Sequence, residues 1–179
     1  MTTLGRLLRG VRAGAHRSRL AGIDAPETIV VTSDAFENGG EIPVKHAGNG
    51  LGDNRSPALR WSGVPGGTEA LVLIIEDDDV PLPRPLMHTI AILDPTIDHL
   101  DDGALQSTNS NIRFIKTVLG QGYSGPRPIP GHGCHHYRFH LFALNAPMPA
   151  TIDTTSRLVQ FMSNHAIARG TLTGVHQRP

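Results

Sequence analysis

The chain has one cysteine, Cys134, in 179 residues. A lone thiol cannot close an internal disulfide, which excludes a stapled secreted scaffold and fits a reducing compartment, so a cytoplasmic location is expected. Aromatic residues make up only 4% of the chain. No run of about 18 apolar residues occurs, so no transmembrane segment is expected. Neither sign of charge is in excess: Lys+Arg and Asp+Glu each total 16, for a formal net charge of +0. A general nucleic-acid binder usually carries a basic surplus, so nucleic acid is not an expected partner. Internal repeats and low-complexity tracts are also lacking. What is abundant is glycine (20), proline (14) and histidine (10). Glycine and proline mean many turns, and histidine directs attention to a polar site. The length suits one domain, which at this size buries roughly 70% of its unfolded surface without needing cross-links.

Residues 1–23 differ from the rest. They carry Arg6, Arg9, Arg12, Arg17 and Arg19, and no acid precedes Asp24. Leu4, Leu7, Leu8 and Val11 recur at i, i+3, i+4 and i+7, the spacing of one helical face. Arginines interrupt every apolar stretch, which argues against a signal peptide. A basic helix lying on an anionic membrane would have a small apolar face. The preferred reading is an N-terminal extension, helical, packed on its own domain or on a second copy, with disorder as the alternative. The domain proper is expected to run from 24 to 179.

Within it, Thr28–Thr32 is a short β-branched run and reads as a strand. Ser56–Trp61 alternates in part and ends in a Val-Pro-Gly-Gly turn. Ala70–Ile75, with the sequence ALVLII, fits a strand buried on both faces. Leu86–Leu93 and the alternating Tyr137–Leu144 read as further strands, and Asn109–Tyr123 as largely loop. One helix is expected from a Thr154 or Thr155 cap to Arg169, with Leu158, Phe161, Met162 and His165 on one face and Gly170 as its C′ glycine. Thr171–Val175 would be the last strand. The sum is a mainly β protein, a sandwich of short strands with a few helices.

Three clusters could carry chemistry. Glu76-Asp77-Asp78-Asp79 directly follows the buried strand. On continued strand geometry Asp77 and Asp79 share one face, and Glu76 and Asp78 the other. Such carboxylates can accept from a cation, hold a metal or share a proton, but an acid cluster alone favours a solvated turn. His88 lies inside an apolar strand, where a hydrogen-bonded core histidine competes with a site role. The third cluster spans Gly122 to Tyr137 and is rich in glycine, proline and histidine. Its glycines allow close approach of backbone N–H groups to an anion. His135 and Tyr137 would share a face and could donate to an oxyanion. His132, His135 and His136 as zinc ligands lack a recognised fourth partner. Cys134 as a nucleophile lacks a defined third group. Together the clusters describe one pocket, with acids and histidine on one wall and a glycine-rich cradle with Tyr137 on another.

These motifs resemble the phosphatidylethanolamine-binding protein family. Asp77-Asp78-Asp79-Val80-Pro81 is similar to its Asp-Pro-Asp-Ala-Pro signature. His88 falls where that family has a strand histidine. Gly125-Pro126 and Gly131-His132-Gly133-Cys134-His135-His136-Tyr137 resemble its Gly-x-Gly-x-His-Arg-Tyr signature. Ser56–Trp61 matches a further element, and Asp24-Ala25-Pro26 is a fainter echo. The likeness runs from about Asp24 to Val175 and is nearest to the bacterial, Raf-kinase-inhibitor-like branch.

The resemblance implies a β-sandwich of two antiparallel sheets with a few flanking helices, one near the C-terminus. It implies a ligand pocket lined by Asp77, Asp79, His88, Gly125, His135 and Tyr137. No cofactor, metal or catalytic residue is implied, and a homodimer is. The chain departs from the pattern at Asp78 (proline in the family), Val80 (alanine), Met87 and Thr89 (often aromatic) and His136 (arginine, here expected to point away from the pocket). The expected function is binding of a small phosphorylated, anionic or zwitterionic ligand, such as a phosphoethanolamine headgroup or a nucleotide. The alternative is regulation or inhibition of a partner kinase or protease. A hydrolase lacks a convincing nucleophile, since no serine sits in a nucleophile-elbow motif.

Overall fold

Residues 70–77 carry no side chain suited to water until the strand is nearly over, so the rest of the chain has to cover both of its faces. In the computed structural model, which describes residues 3–179 with side chains from Leu4 onward, this segment is the central strand β3 (Ala70–Asp77), buried along its whole length. Before it come the short helix α1 (Thr3–Leu7) and strands β1 (Val30–Thr32) and β2 (Leu59–Ser62). After it come β4 (Leu86–Leu93), β5 (His99–Leu100), β6 (Arg113–Phe114), β7 (Gly133–Leu144), helix α2 (Thr155–His165) and β8 (Ala166–Arg178). Two antiparallel sheets form, a large one in the order β6-β4-β3-β7-β8 and a small one in the order β1-β2-β5.

The two faces of β3 are covered by different layers. Leu71, Leu73 and Ile75 meet Val31, Leu59, Trp61 and Leu100 of the small sheet, with Phe139 and Leu141 of β7 beside them. Val72 and Ile74 point the other way, against Leu158 and Met162 of α2 and against Leu20 and Ile23 of the N-terminal segment. This is the expected two-sheet sandwich with a helix near the C-terminus.

Several boundaries differ from expectation. The helix expected to reach Arg169 ends at His165, and β8 begins at the next residue. Thr154 is its cap, accepting from Arg157 N. Residues 166–169 have good helix formers, but β8 pairs with β7 from Ala166 opposite Leu144 to Arg178 opposite Gly133. That long ladder overrides the local preference. Gly170 is therefore not a helix terminator. It lies in β8, where a Cβ would fall 2.0 Å from the Ile29 carbonyl oxygen. Similarly β7 starts at Gly133 and not at Tyr137, and β3 runs on through Asp77.

The N-terminal segment packs on its own domain, but not through the expected face. Leu4, Leu7 and Val11 are exposed, while Ala13, Leu20 and Ile23 are buried. α-Helix is confined to Thr3–Leu7, with one 3-10 turn at Ala15–Arg17. The segment is held by backbone bonds from Ala13 N to Val80 O (3.0 Å) and from Gly14 N to Asp78 O (2.8 Å). It therefore runs along the end of β3, beside the acid cluster.

Leu20→Ala is expected to cost about 2–4 kcal/mol in denaturant unfolding, as for other fully buried leucines. Leu7→Ala, at a position that is 81% exposed, should change stability by less than about 0.5 kcal/mol. Equal effects would show that the segment does not pack in this way.

Candidate functional site

The acids at the end of β3 are not a solvated turn. Glu76, Asp77, Asp78 and Asp79 are all buried, and each has a different answer to its own charge. Strand geometry stops at Asp77, so alternation holds for Glu76 and Asp77 and then breaks. Asp77 faces the space between the sheets. Glu76 faces the opposite side and accepts from the Ser18 hydroxyl at 3.0 and 2.7 Å. Asp78 pairs with Arg138 Nε at 2.5 Å. Asp79 turns outward to Arg12 (2.5 Å) and to His136 Nδ1 and N (both 2.7 Å).

Asp77 anchors a buried chain of three side chains. Its carboxylate lies 2.8 Å from His135 Nδ1, His135 Nε2 lies 2.7 Å from His132 Nδ1, and His132 Nε2 lies 2.8 Å from the Leu8 carbonyl. A carbonyl only accepts, so His132 Nε2 carries hydrogen. A neutral His132 then presents a lone pair at Nδ1, to which His135 Nε2 donates. One further proton lies between His135 Nδ1 and Asp77. The chain is thus complete as an Asp77 carboxylate with a His135 imidazolium, or as the neutral pair. Either way both His135 nitrogens are engaged within the protein. His135 does not offer a free donor to an oxyanion, contrary to expectation.

Beside this chain opens a cavity of about 270 Å³ whose lining includes Asp77, His88, Gly125, Arg127 and His135. Pro81, Leu82, Leu119, Pro128 and Ile129 complete an apolar part of the lining. Two irregularities aim side chains into it. On β4 the pairing jumps from Ile75↔Thr89 to Glu76↔Met87, leaving His88 unpaired as a bulge residue. A bulge re-aims the strand, so His88 reaches the inner side while Met87 and Ile90 remain with the outer cluster. The loop 124–127 approaches so closely that a Cβ on Gly125 would lie 2.2 Å from the His46 carbonyl oxygen. Gly125 is therefore demanded by a backbone contact.

The free polar atoms in this region are those of His88 and Tyr137. His88 Nδ1 lies 2.8 Å from the Ser124 carbonyl, so Nδ1 donates and Nε2 is left as an acceptor. Nε2 is buried without a partner among the described residues. Burial lowers the His88 pKa and keeps the ring neutral, against the pull of Asp77. Tyr137 stands edge-on to His88 with ring centroids 5.4 Å apart. Its hydroxyl is also buried without a well-formed hydrogen bond among the described residues. Burial, with Asp77 nearby, pushes its pKa far above the ordinary phenol value, so it remains a donor.

Of the six residues anticipated for the pocket, Asp77, His88, Gly125 and His135 line it, and Tyr137 stands against His88 behind them. Asp79 is not brought there. Burial works to raise its pKa, but hydrogen bonds from His136 and Arg12 outweigh this and hold the carboxyl below its usual range. His136 points away, as expected. Among the described residues no group of three His, Cys, Asp or Glu side chains is placed to hold a metal ion. His132 and His135 bond to each other, and burial with Asp79 nearby raises the Cys134 pKa. Ser124 and Arg127 in the lining belong to the glycine-rich 122–137 cluster but are not among those six, and His132, weighed above only as a zinc ligand, stands behind His135. The spacing from His132 to His135 was visible, but nothing in it showed that one ring would hold the other.

The sequence pattern of the family described as "Phosphatidylethanolamine-binding protein" matches residues 32–177. This chain belongs to that family. Among relatives, it is 31% identical over 159 residues to a UPF0098 protein of Pyrococcus abyssi, spanning 85% of this chain and 87% of that one. It is 30% identical over 158 residues to the UPF0098 protein YbcL of Escherichia coli, spanning 82% and 86%. The crystal structure of E. coli YbcL superimposes with a TM-score of 0.78 at 24% identity, over 85% of this chain and 99% of that chain. A phosphatidylethanolamine-binding protein homologue from Chlamydia trachomatis superimposes at 0.75 with 31% identity, over 86% and 99%. The family member described here thus keeps a binding-protein fold with the cavity at one end of the sandwich.

On the opposite face of the sheet, burial raises the Glu76 pKa to about 7, despite the Ser18 hydrogen bond. Burial likewise raises Asp78 to about 6, against the Arg138 charge. A carboxyl whose folded pKa lies above its unfolded value favours folding fully below the unfolded pKa and loses that benefit as pH rises through the folded one. Stability should therefore fall between about pH 4.5 and 7, by roughly 3 kcal/mol from Glu76. Thermal melts of Glu76→Gln across this range should show a flatter profile and a higher Tm than wild type at pH 8. An unchanged profile would mean that Glu76 is ionised in the fold at no cost.

Proposed function

We propose that this protein is a binding module for a small phosphate-bearing ligand, held in the cavity between β3, β4 and the 124–129 loop. The observation that carries this reading is the pair of unsatisfied polar atoms, His88 Nε2 and Tyr137 Oη, buried beside one another next to a cavity with Arg127 in its lining. A buried polar group without a partner costs about 1–3 kcal/mol, and a ligand that satisfies it recovers this. Tyr137 donates to a phosphate oxygen, Arg127 supplies the opposite charge, and His88 accepts from a protonated oxygen or an ammonium. His135 acts by fixing Asp77. Without it the carboxylate would be free to capture the ligand's donors or repel its charge. The phosphoethanolamine headgroup and the nucleotide anticipated from the resemblance both carry the required phosphate.

A second reading rests on the apolar side of the cavity. Leu82 and Leu119 of the cavity lining are 47% and 41% exposed, apolar surface suited to a protein partner such as a kinase or protease whose side chain enters the cavity. The carboxypeptidase Y inhibitor, seen with its cognate proteinase, shares the fold at 14% identity and a TM-score of 0.56. That is a likeness of architecture alone.

Calorimetric titration with phosphoethanolamine should show saturable binding, weakened about 10- to 100-fold in His88→Ala or Arg127→Ala, the range for loss of a charge-assisted hydrogen bond. Unchanged affinity in both variants would place the ligand elsewhere.

Binding of a simple phosphate monoester should also be proton-linked. A phosphate monoester's second pKa is about 6, so above pH 7.5 the free ligand is a dianion and free His88 is neutral. The bound pair needs one proton between them. Titrations in buffers of different ionisation enthalpy should report uptake of close to one proton, and affinity should fall as pH rises. Zero uptake would contradict the role given to His88.

A further inference from the structure

A second cleft, of about 420 Å³, adjoins the cavity. The two share Leu119, Ser124, Gly125 and Arg127. Its chemistry differs. Asn49, Gln106, Ser107 and Gln121 line it together with Ser124, and no acid does. The amide nitrogens of Gln106 and Gln121 make long bonds of 3.4 Å to the Asn54 and Phe114 carbonyls, which leaves each Oε1 as an acceptor. The side chains of Asn49, Ser107 and Ser124 have no hydrogen-bond partner among the described residues. The cleft therefore offers neutral donors and acceptors, and Arg127 lines both it and the cavity.

The junction is rigidly built. Asn54 holds a left-handed backbone conformation, with φ of 50°, the one non-glycine residue to do so among those described. Its side chain donates to Tyr123 O at 3.0 Å and accepts from Gly125 N at 2.8 Å. One amide thus ties the cleft floor to the cavity wall. A conformation disfavoured for a side chain-bearing residue is retained where the surrounding structure over-determines it. The Tyr123 ring is buried and its hydroxyl donates to the His46 carbonyl at 2.9 Å, so the cleft has no open aromatic face on which a base could stack.

We infer that the ligand is a phosphorylated polyol, such as a sugar phosphate, with its phosphate in the cavity and its hydroxyl groups in this cleft. The inference rests on the phosphate reading of the cavity. A polyol presents hydroxyls that each donate and accept, which is what a row of amides and hydroxyls matches. A nucleobase needs a stacking surface or a dry apolar slot, and the cleft provides neither.

Calorimetry separates the possibilities, with inorganic phosphate, glucose 6-phosphate and AMP as probes against wild type and Gln106→Ala/Gln121→Ala. Both glutamines are exposed and lie outside the lining of the phosphate cavity, and their bonds are the long ones to the Asn54 and Phe114 carbonyls. The expected result is at least tenfold tighter binding of glucose 6-phosphate than of phosphate or AMP, with the gain lost in the double variant and phosphate affinity unchanged. Equal affinity for glucose 6-phosphate and phosphate would overturn the inference while leaving the phosphate reading intact. Preference for AMP, or a gain that survives in the double variant, would overturn it too. Absence of phosphate binding together with absence of glucose 6-phosphate binding would remove both readings.

Discussion

The carboxylates that end the central strand must be satisfied away from bulk water, and the rest of the site follows from how that is done. A charge buried without partners is costly enough that the fold must pair it or neutralise it. Asp77 takes a histidine that is itself held by a second histidine, and that second ring is held by the backbone of the N-terminal segment. Asp78 and Asp79 take arginines from opposite sides of the chain, Arg138 and Arg12. Glu76 takes the Ser18 hydroxyl, and burial pushes its pKa up to about 7. The N-terminal segment supplies three of these partners, directly or through its carbonyls. It acts as part of the polar interior and not as an appendage.

This arrangement divides labour within the pocket. His135 is closed off by its two bonds, so it orients Asp77 and seals one wall. His88 is open because a β-bulge delivers it and the Ser124 carbonyl fixes its tautomer. The chemistry available to a ligand is thus an acceptor at His88, a donor at Tyr137 and a cation at Arg127. On the function proposed above, this set recognises a phosphate in a particular protonation state.

Much of the architecture was legible in the residues. ALVLII leaves β3 no solvent face, and alternation in 137–144 marks an inward strand. Asp77, His88, Gly125 and His135 converge because three adjacent strands, β4, β3 and β7, and one loop bring them to one end of the sheet. What was not legible depends on pairing between distant segments. Residues 166–169 read as helix because their propensity is local, while the ladder with β7 is not. Asp79 was placed with Asp77 by extending a strand that in fact stops one residue after Glu76. The bulge at His88 is a register shift, invisible without the partner strand. The Leu4–Val11 periodicity suggested a buried face, yet Ala13, Leu20 and Ile23, which carry no such pattern, make the contacts.

The measurement that bears most directly on this account is nitrogen NMR of the imidazole rings, in the free protein and on addition of inorganic phosphate. The account predicts a neutral His88 with hydrogen on Nδ1 in the free protein, a His135 protonated at Nε2, and a ligand-induced change confined to His88 Nε2. A His88 that is unaffected by phosphate, while His135 loses its bond to His132 and responds, would contradict it.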